Sequence, residues 1–294
     1  MPNYSILSRR CLVMSGLAMT TTASLKRAAS ALGFPSEMQV CRLSPEQETG
    51  PYYITNELLR SDIVEGKPGV PLSLRLVLLD ARTCRPLPNI AVDIWHCDAL
   101  GLYSGFTKQN PIGPGGPPPG FDPQHPGNRP GPPEGRMGPP PLNHPTDQLT
   151  FLRGIQMSDG NGAVNFRTIF PGCYMGRTNH IHFKVRVGSQ AAERSYRAEH
   201  TSHTGQVFFP EELAVQLMQQ EPYNKHKIQR TTQAEDAVYN DQEGELSVAR
   251  ITPFHPEISA AGLRAELIAA VNPDATPADA RRGRPGFLPP PGQR

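Results

Sequence analysis

Residues 180–187 read HIHFKVRV, and this octapeptide decides the fold class. Ile181, Phe183 and Val185 recur with period two between polar or charged neighbours, the pattern of a half-buried β-strand rather than a helix. The same alternation points His180 and His182 to one face, so the strand carries two imidazoles side by side.

Working outward, residues 163–169 (AVNFRTI) and 151–157 (FLRGIQM) read as two further strands. Between them stands Ser158-Asp159-Gly160-Asn161-Gly162, a strong turn signal, so the two are expected to pair as a hairpin. Residues 70–80 (VPLSLRLVLLD) and 90–96 (IAVDIWH) flank a turn with Pro86 and Pro88, and are expected to be antiparallel neighbours. Residues 206–209 form a short strand, 211–220 a helix that Pro222 ends, and 246–251 a last strand. Residues 258–271 fit helix or strand, because their alanines favour helix. Many short strands with turns between them and few short helices predict an all-β sandwich with long loops.

The chain of 294 residues contains 33 prolines and 27 glycines, concentrated in 110–145 and near the C-terminus. Such density supports neither helix interiors nor central strands, so 110–145 is read as a mobile insertion and 273–294 as a disordered tail. The domain is expected to occupy 37–272, with roughly 200 residues of it foldable. A net charge of +2, with no long basic run, argues against a nucleic-acid partner. No stretch approaches the roughly 18 apolar residues of a membrane span.

Residues 1–36 begin differently. Arg9-Arg10 is followed by a mildly apolar stretch rich in threonine and serine, then Lys26-Arg27. A twin-arginine export signal has this shape, so the protein is expected to be exported, with a basic tail on a cytoplasmic protein as the alternative. Apart from Cys11, the cysteines are Cys41, Cys84, Cys97 and Cys173. Their even number allows one or two disulfides in an exported protein, in any of the possible pairings, and none has the CxxC spacing of a zinc knuckle.

Chemistry concentrates in two segments. Residues 166–187, FRTIFPGCYMGRTNHIHFKVRV, bring Tyr174 and Arg177 just upstream of the paired histidines, across a turn containing Gly176. Residues 92–106, VDIWHCDALGLYSGF, end a strand and place Tyr103 after a turn at Gly101. By themselves these residues have ordinary explanations: HxH as core histidines, Tyr103 packed beside Trp95, Arg177 as a surface cation. His96 competes as a metal ligand. A zinc hydrolase using His96, His180 and His182 is conceivable, but no Asp or Glu is placed as its general base.

Four segments together resemble the intradiol ring-cleavage dioxygenases, the family of catechol 1,2-dioxygenase and protocatechuate 3,4-dioxygenase. Gly50-Pro51-Tyr52 resembles the family's GPxY segment near the substrate pocket. Trp95-His96 through Tyr103 resembles the strand and turn bearing its first tyrosine ligand, residues 166–182 its second tyrosine, arginine and HxH, and residues 204–211 (TGQVFFPE) the strand that follows. The resemblance implies a transthyretin-like β-sandwich holding Fe(III) on Tyr103, Tyr174, His180 and His182. It implies Tyr174, Arg177 and Gln206 as catalytic residues, and Gly50, Pro51 and Tyr52 as substrate-binding residues. The hairpin between His182 and Gln206 is longer here than in the better-known members. The implied substrates are a catechol and O2, and the implied product a muconate-type diacid. A metal-free transthyretin-like binding module is the alternative, and monomer and homo-oligomer both stay open.

Hard-donor chemistry agrees with that set. Two phenolates and a hydroxide would cancel the charge of a buried trivalent ion, and neutral imidazoles would complete the shell without overcharging it. Oxygen donors also favour the ferric state.

Overall fold

The computed structural model describes residues 42–55, 58–108, 144–188, 190–192, 195–197, 200–255 and 261–276, the two short stretches 190–192 and 195–197 by backbone alone. The expected signal at 1–36, Cys41 and nearly all of the expected insertion and tail lie outside these residues.

Two four-stranded sheets make up the architecture. In the first, the order is β4 (Ala163–Ile169), β1 (Pro71–Asp80), β10 (Leu263–Val271) and β9 (Arg250–Pro253), with β1 and β10 parallel and the other pairs antiparallel. In the second, all antiparallel, the order is β3 (Arg153–Met157), β2 (Ala91–Trp95), β5 (His180–Val187) and β8 (His200–Phe208). A small hairpin of β6 (Gln190–Ala192) and β7 (Ser195–Arg197) extends the β5–β8 connection. Among the described residues helices are few: α1 (Glu211–Met218), α2 (Ala237–Asp241) and three short 3-10 turns.

The sheets share one core. Leu72, Leu74, Leu76 and Leu78 of β1 and Leu263, Ala265, Leu267, Ala269 and Val271 of β10 meet Val92 and Ile94 of β2, Ile181, Phe183 and Val185 of β5, and Val207 of β8. This is the sandwich expected from the alternation. Burying each such aliphatic or aromatic side chain is worth roughly 1.5–3 kcal/mol, and a one-residue slip of β5 would swap three of them for His180, His182 and Lys184. The core therefore fixes which way the imidazoles point: outward, on the face of the second sheet that loops cover.

Several local expectations are corrected. β1 and β2 do not pair; they lie in different sheets, and so do β3 and β4. The turn at 158–162 is real, with Asp159 Oδ1 accepting from the amides of Asn161 and Ala163 at 2.8 and 2.9 Å. It carries the chain from one sheet to the other, which a turn signal cannot distinguish from a hairpin. The last strands also shift. Residues 244–247 form a 3-10 turn before β9, and the alanine-rich 263–271 is a strand paired in parallel with β1, so packing overrides helix propensity.

Cys97 and Cys173 are free and buried, whereas Cys84 is disulfide-bonded.

Candidate metal centre

Strand register builds the base of the site. Arg153, Trp95, His182 and Gln206 are successive Cα partners across β3, β2, β5 and β8, so they form one row on the outer face of the second sheet. His182 stacks on Trp95, ring centroids 4.9 Å apart and ring planes nearly parallel. His180, one step along β5, has its centroid 4.6 Å from that of His182. The Nε2 atoms of the two histidines lie 3.0 Å apart.

Two loops add the phenols. After β2, Asp98 Oδ1 accepts from the amides of Leu100 and Leu102 at 3.0 Å each, and Lys67 Nζ pins the carboxylate at 2.7 Å. Gly101 takes φ +80°, and a Cβ there would meet the Cys173 carbonyl oxygen at 2.4 Å. Only glycine lets the Tyr103 loop approach the Tyr174 loop this closely. A tight turn over Gly176 closes with the Arg177 amide donating to the Tyr174 carbonyl at 3.0 Å.

Four rings thereby close a circuit. Centroid separations are 5.8 Å from Tyr103 to Tyr174, 5.7 Å from Tyr174 to His180, 4.6 Å from His180 to His182 and 6.4 Å from His182 back to Tyr103. Tyr52 covers the circuit, stacked on Tyr103 at 4.5 Å. Gly50 sits against His182, where a Cβ would lie 3.0 Å from Cε1.

The electrostatics suit a hard cation. Burial holds His180 and His182 well below the ordinary imidazole range, helped by nearby Arg177, so both rings are neutral. The Nδ1 of His180 lies 2.7 Å from the Thr178 carbonyl oxygen, which can only accept; the proton sits there and leaves the Nε2 lone pair facing the circuit. Burial pushes the Tyr103 and Tyr174 hydroxyls well above the ordinary phenol range, against the pull of Arg177. The Tyr103 hydroxyl is buried with no hydrogen-bond partner. An orphaned hydroxyl costs about 1–3 kcal/mol, a debt that coordination to a cation would cancel.

Arg177, Gln206, Glu48 and Asp236 form the polar wall. Arg177 Nη1 lies 3.4 Å from the Tyr174 hydroxyl, and Nη2 donates to Gln206 Oε1. Gln206 Nε2 donates to the Glu48 carbonyl at 2.9 Å. Burial opposes the charge on Arg177, but Tyr174, Asp236 and Glu48 outweigh it and hold the guanidinium above its ordinary range.

Of the residues expected at the site, Tyr103, Tyr174, His180 and His182 make the circuit, Arg177 and Gln206 lie beside it and Tyr52 and Gly50 over it, with half-buried Pro51 between the last two in the chain. Gln206, expected on the weakest grounds, is placed by register directly opposite His182. His96 is elsewhere engaged, with Nδ1 2.8 Å from the Cys97 carbonyl and Nε2 2.7 Å from Thr168 Oγ1. Among the described residues no group of three or more His, Cys, Asp and Glu side chains could hold a metal ion, which removes the geometry of the zinc-hydrolase alternative.

The sequence reading missed Asp236. Its carboxylate is fully buried, accepts from Arg177 Nε and from the Thr178 amide, and caps α2 through the Val238 amide. The capping pattern around Asp236 was legible as a helix start, but nothing local ties it to an arginine 59 positions away.

Comparison with solved structures gives the decisive likeness. An intradiol ring-cleavage dioxygenase from Tetranychus urticae is 32% identical, with a TM-score of 0.64, and the match covers 81% of this chain and 98% of that one. The chain belongs to the intradiol ring-cleavage dioxygenase family. A second dioxygenase crystal structure matches this intradiol dioxygenase equally well in sequence, at 32% identity and a TM-score of 0.62, over 81% of this chain and 98% of that chain. No protein-family profile matches the chain, and neither does any curated protein.

Proposed function

We propose that this family member is an iron(III)-dependent dioxygenase that cleaves a catechol between its two hydroxyl-bearing carbons, using O2, to a cis,cis-muconate-type diacid. The observation that carries this reading is the closed circuit of two phenols and two neutral imidazoles around an orphaned hydroxyl. Tyr103, Tyr174, His180 and His182 would hold the ferric ion.

Bound there, the ion supplies Lewis-acid activation of the catechol toward dioxygen. The chain supplies the rest. Tyr174 takes a catechol proton on its phenolate oxygen, a role that suits a phenol whose burial favours the protonated form. Arg177, held by Asp236 and Gln206, presents a fixed positive charge where negative charge develops on the ring. Gln206 links that guanidinium to the Glu48 backbone and so ties the substrate-side loop to β8. Gly50, Pro51 and Tyr52 form the cover against which the ring is held, and the packed aromatic side chains exclude water. With residues 1–36 read as a twin-arginine signal, the enzyme would be exported already folded and loaded.

A metal-free binding module would have no use for an unpartnered buried hydroxyl in a circuit with neutral imidazoles. Reconstitution with iron tests the difference. The loaded protein is expected to bind one ferric ion per chain and to turn red to burgundy through phenolate-to-iron charge transfer. A protein that stays colourless and iron-free after reconstitution overturns the proposal.

A further inference from the structure

Residues 171–179, which carry Tyr174 and lead into β5, are pinned from several sides. Asn179 closes the base of the loop, its Nδ2 donating to the Pro171 and Gly172 carbonyls at 3.0 and 3.1 Å. The inner side is tied through Arg177 to Asp236. The outer side is gripped by residues 226–231, a stretch without regular secondary structure that has no part in the reaction proposed above.

Three side chains of that stretch make the grip. The Ile228 amide donates to His226 Nδ1 at 3.1 Å, so Nε2 carries the proton of the neutral ring and donates it to the Cys173 carbonyl at 2.8 Å. Thr231 Oγ1 accepts from the Gly176 amide at 3.0 Å. Arg230 donates from Nε to Asn179 Oδ1 at 2.8 Å and from Nη2 to Thr178 Oγ1 at 3.0 Å. That guanidinium is itself fixed by Glu211 of α1, whose two carboxylate oxygens accept at 2.6 and 2.7 Å. Tyr174 is therefore held on both flanks, at the carbonyl of the residue before it and at the amide two residues after it. Its hydroxyl is held far more loosely, with Arg177 Nη1 at 3.4 Å.

We propose that Thr231, His226 and Arg230 are positioning residues for Tyr174, a clamp that fixes the backbone of its turn while the phenol remains free to rotate toward the ion and away from it. This deepens the proposed function and rests on it. A phenol returning to its place on a fixed backbone has only side-chain freedom to lose, whereas one on a loose turn must also order the chain. Arg177 shares the turn, so the same clamp keeps the guanidinium aimed whichever way the phenol points.

The test is a double-mutant cycle on iron affinity, measured by competition with a chelator in the absence of catechol. Thr231→Val keeps the shape of the side chain and removes the acceptor of the Gly176 amide. It should weaken iron binding roughly threefold to tenfold in the wild-type background, the range expected for one neutral hydrogen bond. In the Tyr174→Phe background the same change should cost less than about twofold, because the residue through which Thr231 acts no longer binds the ion. The visible band of Thr231→Val should lose part of the intensity that Tyr174→Phe loses, and Thr231→Ser, which retains the hydroxyl, should restore both affinity and band. Equal losses in the two backgrounds, or a Thr231→Val protein indistinguishable from wild type, would overturn the clamp. If Thr231→Val does not fold, His226→Ala is carried through the same cycle and decides by the same two outcomes. The expected cycle in an iron-loaded protein that cleaves no catechol would sustain the clamp and sink the dioxygenase reading; ring cleavage with equal losses would do the reverse. A protein that binds no iron sinks both.

Discussion

Arg177 Nε donates to both carboxylate oxygens of Asp236, each at 3.0 Å, in a pair almost wholly withdrawn from solvent. Two charges this deeply buried are stable only together: removing one partner of such a pair typically costs about 3–5 kcal/mol, because the other charge is stranded. Asp236 also accepts from the Thr178 amide at 2.9 Å, two residues before His180, so it fixes the approach to the histidine strand as well as the guanidinium.

Asp236→Ala is therefore expected to lower stability by about 3–5 kcal/mol. Asp236→Asn, which keeps the shape and loses the charge, should fold but reduce kcat by roughly 10- to 100-fold through misplacement of Arg177, with a smaller change in KM. Steady-state kinetics beside thermal unfolding separate the two effects. A folded Asp236→Asn protein with unaltered kcat would show that Arg177 does not depend on this partner.

The circuit makes its own prediction. Tyr103→Phe removes a donor but leaves the ring, so the loaded variant should lose much of its visible charge-transfer band and bind iron more weakly. His180→Ala and His182→Ala should lose iron altogether, and Tyr174→Phe should cut ring cleavage severely while retaining some metal. Iron content and visible spectra check each one. Full iron and unchanged spectra in all four variants would mean that the ligands lie elsewhere.

Much of this site was legible in the sequence, for physical reasons that differ by residue. The alternation of residues 180–187 placed His180 and His182 together because burial of Ile181, Phe183 and Val185 leaves them only the other face. Gln206 could not be secured that way, since its place opposite His182 depends on the register of β5 and β8 across an inserted hairpin. Sheet membership was illegible too. The turns after β1 and β3 have local signals identical to hairpin turns, and only the shared core shows that each crosses between sheets. Asp236 acts over 59 positions through a single ion pair, and no local pattern carries that.

Gly50 supports a stability prediction. Its φ is +72°, and a Cβ would lie 3.0 Å from His182 Cε1. Gly50→Ala should cost about 1–2 kcal/mol of backbone strain and push on the imidazole, weakening iron retention. Thermal unfolding and an iron competition assay would detect both, and a variant unchanged in both would show that the loop simply shifts away.

Asp93 predicts a pH dependence. Burial pushes its carboxyl up to about 8, opposed by Arg153 and Lys184, with the Tyr53 hydroxyl donating to it at 3.0 Å. The folded protein thus holds a proton that the unfolded chain releases near the ordinary carboxylate range. Its contribution to stability is complete at low pH and is lost as pH rises toward 8, at up to about 1.4 kcal/mol per pH unit. His96, lowered to about 4 by burial, acts in the opposite direction, but only below its ordinary value of 6.5. Between pH 6.5 and 8 the Asp93 effect therefore stands clear of it. Asp93→Asn should flatten the fall in melting temperature across that interval, and identical profiles for variant and wild type would contradict the assignment.

The most direct test of the central claim is oxygen uptake by the iron-loaded protein with catechol, coupled to identification of the product. Equimolar consumption of O2 and catechol, with cis,cis-muconate as the product, is the predicted result. A semialdehyde from cleavage beside the hydroxyl-bearing carbons, or no oxygen uptake by fully loaded protein, would contradict it.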